Sequence, residues 1–397
     1  MQKVYIISAC RTPIGKMGGT LSEIPASELG AVVIRESTNR AKLSSSSIDH
    51  VYFGCVIQAG LGQNIARQCA VKAGLPYETT ATTLNAVCGS GLDAVNHAAM
   101  LIQSGSADIV VAGGVESMSR APFAVMKGRF GFRMGYPMGK SELVDTMVND
   151  ALWDVYGDYH MGITAENVAE KYDVSREEMD VFAADSQNKA CQAREKGYFQ
   201  DEIVPVKLMG RGGETKIDFD EGPRPGTTVE SLAKLKPVFK ENGSVTAGNA
   251  SGINDGAAAV LLASEEKVRE LNLTPLAEWL GGAMAGVDPA VMGIAPVYSS
   301  KKLLEKLRMN LDDVDLVEAN EAFAAQSIAV SRELALKPEK LNVHGGAIAL
   351  GHPVGASGCR ILVTLLYAMR RRGAETGLAT LCIGGGMGSS TMVRLCH

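Results

Sequence analysis

The chain of 397 residues is predicted to be an α/β protein of two similar, stacked halves with a segment inserted between them. Three observations predict this. Strand-like runs alternate with one-sided apolar helix patterns, which implies mostly parallel sheets covered by helices. One succession of elements recurs late in the chain. Between the two copies lies a stretch of different composition.

The opening residues, Met1-Gln-Lys-Val-Tyr-Ile-Ile-Ser-Ala-Cys10, read as a strand. A β-branched run from Thr79 to Val87 leads into Cys88-Gly-Ser-Gly91, and the pattern then turns helical, with Leu92, Val95, Ala99 and Ile102 on one face. Gly105 stops that helix, and Ala107-Asp-Ile-Val-Val-Ala-Gly-Gly114 reads as a buried strand. The late copy starts at Val354-Gly-Ala-Ser-Gly358 and places Ile361, Leu362, Leu365, Leu366 and Met369 on one face. Arg370, Arg371 and Arg372 suit the negative end of that helix, Gly373 ends it, and Leu378 to Gly386 is again a strand running into glycines. Earlier, His50 to Val56 resembles Val314 to Asn320. Two similar but unrelated βα units would give the same pattern, since such units are common.

The intervening stretch is rich in methionine, glycine and basic residues, among them Met118, Met126, Lys127, Arg129, Arg133, Met134 and Met138. It carries a helical stretch from Ser175 to Lys196 and turns around Gly222-Pro-Arg-Pro-Gly226. Adaptable methionines with a few cations would suit a ligand with an apolar arm and phosphates. A surface excursion with core methionines is the rival reading. The division is therefore 1–117 plus 248–270 for the first half, 118–247 for the inserted loop domain, and 271–397 for the second half.

A formal charge of −5 argues against nucleic acid as a partner, which would want a basic surface. No apolar run approaches the ~20 residues of a membrane helix. The N-terminus lacks the marks of a signal or transit peptide, and the C-terminus is no peroxisomal address, so a cytoplasmic location is expected. The cysteines at 10, 55, 69, 88, 191, 359, 382 and 396 form no Cys-x-x-Cys pair. Neither disulfides nor a metal site is expected, and most of these thiols should be buried as small hydrophobes.

Three glycine-rich settings carry the chemistry: Asn85-Ala-Val-Cys88-Gly-Ser-Gly, Gly351-His352-Pro353-Val-Gly355 and Cys382-Ile-Gly384-Gly-Gly386. Cys88 stands at a strand-to-helix junction, where amides and the dipole favour an anion, so a lowered pKa and reactivity are expected. Its own amide could join an oxyanion site. A cysteine buried in a tight turn is the alternative. His352, held between glycine and proline, can move a sulfur proton near neutral pH; an exposed loop histidine is the alternative. Cys382 ends a strand, where αβ proteins bind ligands, although taken alone it also fits a structural role. Asn320, in Asn320-Glu-Ala-Phe323, could donate to a developing oxygen or hold a water; a helix N-cap is its rival role. Gly384-Gly-Gly-Met-Gly388 departs from the dinucleotide fingerprint, so no nicotinamide or flavin is expected.

Together with Gly345-Gly-Ala-Ile-Ala-Leu-Gly-His-Pro-Val-Gly-Ala-Ser-Gly358 and Ile6-Ser-Ala-Cys-Arg-Thr-Pro-Ile-Gly, these motifs resemble thiolases over essentially the whole chain. The resemblance implies a five-layered αβαβα sandwich of two duplicated βαβαβαββ halves with an inserted loop domain. It implies a nucleophile at Cys88, which His352 activates while also helping to protonate departing coenzyme A. It makes Cys382 the base for the α-proton. One oxyanion site would comprise His352 and an Asn320-bound water, the other the amides of Cys88 and Gly384. His160-Met-Gly-Ile-Thr-Ala-Glu-Asn167 is similar to the short-chain acetoacetyl-CoA type. On that match Leu152, His160, Met161, Arg224, Ser231, Ser251, Met292, Ala322 and Phe323 line the coenzyme A and pantetheine tunnel, and Arg129 to Lys140 resembles the family's tetramerisation loop. The implied reaction is reversible condensation of two acetyl-CoA to acetoacetyl-CoA and CoA. No permanently bound cofactor is implied, and the implied assembly is a homotetramer, a dimer of dimers. The competing readings are a broad-range degradative 3-ketoacyl-CoA thiolase and, more remotely, a cysteine hydrolase or a non-catalytic acyl-CoA binding protein. Ala86, Cys10 and Cys396 depart from the family's usual residues without removing a catalytic group.

Overall fold

The computed structural model describes residues 2–126, 128–131, 143–210 and 213–396. The first half contributes strands β1 (Val4–Arg11), β2 (His50–Gly54), β3 (Thr80–Leu84), β4 (Ile109–Ser117) and β5 (Asn254–Ser264). The second contributes β6 (Ala277–Gly286), β7 (Leu316–Ala319), β8 (Thr376–Ile383) and β9 (Met387–Leu395). Their helices are α1 (Ala26–Arg40), α2 (Ile65–Ala73) and α3 (Ser90–Gln103), then α4 (Met161–Lys171) and α5 (Arg176–Glu195) in the insert, and α6 (Ala295–Leu307), α7 (Ala324–Glu333) and α8 (Val354–Arg372).

The duplication is visible in the sheet. Its order is β7-β8-β9-β6-β1-β5-β4-β2-β3, with the short strand Gly15–Lys16 attached to β5. Read from its outer edge, the first half runs β3-β2-β4-β5-β1 and the second β7-β8-β9-β6, so β2, β4, β5 and β1 correspond in order to β7, β8, β9 and β6. The two halves meet where β1 pairs antiparallel with β6, Val4 opposite Trp279 and Ile6 opposite Ala277. Every residue of β4, β5 and β8 is buried, as expected of strands covered on both faces. Helices α1 and α2 cover one face through Leu29, Val33, Ile34, Ile65 and Cys69. Helices α3 and α8 fill the middle with Leu92, Val95, Ile361, Leu362 and Leu365. On the far side α6 packs on β6, β8 and β9, with α7 completing the fifth layer.

Helix ends follow local chemistry. Ser175 caps α5 with a capping box to Glu178, satisfying two otherwise free amides. Gly373, at φ +65°, ends α8 in the left-handed region after three arginines. The insert is fastened by buried charge: Arg11 of β1 meets Glu202 at 2.6 Å and Asp220 at 2.7 Å, all three at most 2% exposed. All eight cysteines are free. The basic stretch Arg129 to Lys140 lies for the most part outside the described residues. Among the described residues no helix is long and apolar enough to cross a membrane.

Candidate active site

Cys88 and His352 occupy corresponding places in the two halves, each just before a central helix. Those helices cross at their N-terminal turns. A β-carbon on Gly91 would stand 2.9 Å from both the Cys359 amide and the Gly355 carbonyl, and one on Gly358 would stand 2.4 Å from the Leu92 amide. Only glycine at both positions permits this approach, and it draws the two loops together. Val87, immediately before Cys88, has φ +46°, a costly conformation for a β-branched residue. Three local bonds hold it: Ser90 Oγ donates to the Val87 carbonyl (2.6 Å) and accepts from Ala86 N–H (2.9 Å), while Asn85 Oδ1 accepts from Val87 N–H (3.0 Å). The loop thereby turns Cys88 toward the end of β8.

There, a β-carbon on Gly89 would collide with Ile383 Cδ1 at 2.3 Å, and one on Gly384 would touch Met161 and Val87. Cys382 is fully buried and lies close enough for a charge on Cys88 to disfavour its thiolate. The two sulfurs and their glycine loops therefore share one site. The sequence places a lowered pKa on Cys88. The structure corrects this: burial dominates and pushes the thiol up to about 11, while the facing N–H groups of Gly384 and Cys88 pull the other way. Helix-end amides act, yet they lose to desolvation. Burial raises Cys382 still further.

His352 is 6% exposed, which removes the exposed-loop alternative. Burial, and secondarily the Arg360 charge, lowers its pKa to about 3, so the ring is neutral. Ser357 Oγ donates to the Pro353 carbonyl at 2.8 Å and lies 2.5 Å from His352 Nδ1. A serine that gives its one proton to that carbonyl accepts at Nδ1. The Nδ1 position then carries the ring proton, and Nε2 keeps a lone pair for a thiol. Removing the hydroxyl releases that choice. Ser357→Ala is expected to slow acetyl-enzyme formation roughly tenfold to a hundredfold with KM for acetyl-CoA little changed. A wild-type acylation rate would show that the tautomer is set otherwise.

Asn320 does not cap α7; that position is Phe323. Its backbone is pinned by Thr380 and Gln326, and its Nδ2 lies 3.5 Å from His352 Nε2. It thus stands beside the imidazole, as an oxyanion role requires.

Most of the expected tunnel residues converge. Met161, Met292, Ala322 and Phe323 share one buried cluster with Cys382, and Leu152, like Val87 and Cys88, packs against the buried cluster that includes Val354. His160 stacks on Phe239 at 4.6 Å, which meets Phe323 edge-on at 6.3 Å. Ser251 N–H donates to the Ala322 carbonyl. Arg224, together with Gly248, Ala250 and Gly351, lines an adjoining cavity of about 250 Å³. Ser231 is exposed, its hydroxyl donating to the Thr228 carbonyl at 2.7 Å. Ser357 lies in the glycine-rich run Gly355-Ala-Ser-Gly358, but nothing local marks its role.

Residues 4–266 match the thiolase N-terminal domain and residues 273–395 the thiolase C-terminal domain. The chain belongs to the thiolase family. It is 56% identical over 395 residues to the acetyl-CoA acetyltransferase of Syntrophomonas wolfei, covering 99% of each chain. The crystal structure of the Bacillus anthracis acetyl-CoA acetyltransferase superposes with a TM-score of 0.96 at 45% identity, covering 100% of this chain and 99% of that one. Human mitochondrial 3-ketoacyl-CoA thiolase gives the same TM-score at 42% identity, with the same coverage. This thiolase has the αβαβα architecture the motifs implied.

Proposed function

We propose that this thiolase catalyses the reversible Claisen condensation of two acetyl-CoA to acetoacetyl-CoA and CoA. The observation that carries the reading is the convergence of two thiols, a neutral imidazole and two N–H groups at the end of β8. A hydrolase dyad needs no second buried thiol beside the nucleophile, and a binding protein needs no imidazole of fixed tautomer.

The protons balance in one order. Cys88 attacks the thioester carbon as His352 Nε2 takes its proton. The C–S bond to CoA breaks, and the departing sulfur takes a proton from Cys382, directly or relayed by His352. The result is acetyl-Cys88, an imidazolium and a Cys382 thiolate, neutral overall. That charge state answers the raised pKa of Cys382: its thiolate forms only opposite a new positive charge. The thiolate takes the α-proton of a second acetyl-CoA. The enolate oxygen is held by the imidazolium Nε2–H and an Asn320-bound water. Carbon attacks the acetyl group, the bond to Cys88 breaks, and His352 returns the proton. The amides of Cys88 and Gly384 hold the acetyl oxygen throughout.

In the same reading Leu152, His160, Met161, Arg224, Ser231, Ser251, Met292, Ala322 and Phe323 contact coenzyme A and pantetheine. Residues 118–247 form the coenzyme A-holding insert between halves 1–117 with 248–270 and 271–397. CoA thioesters are substrates and no cofactor is resident. The enzyme is cytoplasmic and a homotetramer, with the stretch from Arg129 at the tetramer contact. Support comes from the stacked aromatic wall His160–Phe239–Phe323 and from the names of the relatives. Thiolysis rates across 3-ketoacyl-CoA chain lengths test the substrate range. We expect a steep fall beyond the four-carbon substrate; a flat or rising profile would assign the broad-range activity instead.

A further inference from the structure

Arg360 sits in the middle of α8 and is 1% exposed, among Cys359, Ile361, Leu362 and Val363, none of them exposed. An apolar side chain there would suit the packing. The guanidinium instead brings a charge into the core, costly without close partners. Its Nε and Nη1 have no hydrogen-bond partner, nor has either oxygen of Glu318, the buried carboxylate of β7 that lies near enough to act on it through space. Glu318 itself is pushed up to about 8 by burial. Stability alone does not explain this pair.

Among the described residues, the side-chain hydrogen bond of Arg360 is to Asn320. Its Nη2 donates to Asn320 Oδ1 at 3.4 Å. Arginine has no acceptor, so only the amide oxygen can face it. The other end of the amide, Nδ2, is then directed at His352 Nε2, 3.5 Å away. Turned over, the amide would aim an oxygen at the imidazole lone pair and at any developing oxyanion.

We propose that Arg360 is a positioning residue that fixes the amide orientation of Asn320, so that its N–H faces the site and holds the water that donates to the enolate oxygen. This rests on the role given to Asn320 above. Arg360 touches no reacting atom and acts at the condensation step.

The test compares Asn320→Ala, Arg360→Met in a Glu318→Gln background, and all three together, with Glu318→Gln as the reference. Acetyl-Cys88 formation is followed by intact mass and condensation by acetoacetyl-CoA release. Asn320→Ala should lose condensation on the order of a hundredfold. Arg360→Met should lose it roughly tenfold to a hundredfold while acylation stays within a few-fold, and the combined variant should be no slower than Asn320→Ala. Condensation at the reference rate in the Arg360→Met variant overturns the proposal, as does a loss that multiplies onto that of Asn320→Ala. If Asn320→Ala itself condenses normally, the role of Asn320 falls first and the proposal with it. Should the methionine variant not fold, Arg360→Lys keeps the charge but loses the planar fork. It should show a smaller loss of the same kind, and undiminished condensation overturns the proposal.

Discussion

Replacing Cys88 with alanine is expected to stop the reaction at its first covalent step. No acetyl group should appear on the intact protein after incubation with acetyl-CoA, and turnover should fall on the order of a million-fold, to the assay floor. The variant should fold, because Cys88 is only half-buried and the loop is held by Asn85 and Ser90 rather than by the thiol. A labelled alanine variant would move the nucleophile elsewhere. The wild-type protein carries a related expectation. With the thiol near 11 and the imidazole near 3, the neutral pair persists on both sides of neutrality. Acylation should therefore be nearly flat between about pH 5 and pH 9. A thiol primed by the helix dipole would instead titrate near neutrality, and an inflection there would restore the lowered pKa that the sequence suggested.

That difference marks what a sequence holds. Glycine settings are local, and they mark Cys88 and His352 as candidates from their neighbours, whereas Cys382 taken alone also fits a structural role. The ends of α8 are local too, set by Pro353 and Gly373. Burial is not. Nothing near Cys88 reveals how much water the assembled layers remove. Arg360 and Glu318 look like ordinary surface residues of a helix and a strand until the halves stack. The pairing of β1 with β6 likewise has no local mark. The second half also departs from its copy: where the first half has the edge strand β3, the second keeps a single parallel bridge between Val317 and Leu341. Pro338 and flanking charges disfavour a strand there. The Asn342 side chain instead accepts from Ala319 N–H and donates to the Ala319 carbonyl, at 2.9 and 2.8 Å, in place of further ladder.

Cys382→Ser separates the two half-reactions. Serine is nearly isosteric and fits the same fully buried place, so the fold and the nucleophile are retained. Its hydroxyl, however, is a far weaker acid than a thiol. After CoA departs it cannot supply the anion that would sit opposite the imidazolium of His352. Acetyl-Cys88 should still form, within several-fold of the normal rate, since His352 can hand its proton to the leaving sulfur. Enolate formation should then fail, with condensation down on the order of 10²–10⁴-fold, the usual worth of a positioned base. Acetyl-enzyme should accumulate, and protons at the methyl carbon of acetyl-CoA should no longer exchange into heavy water. The alternative is a thiol that merely fills space beside Met161 and Phe323. It predicts near-normal condensation and exchange in the serine variant, because the volume scarcely changes. Exchange at the normal rate would therefore remove Cys382 as the base, and the α-proton would need an acceptor elsewhere among the groups facing the site.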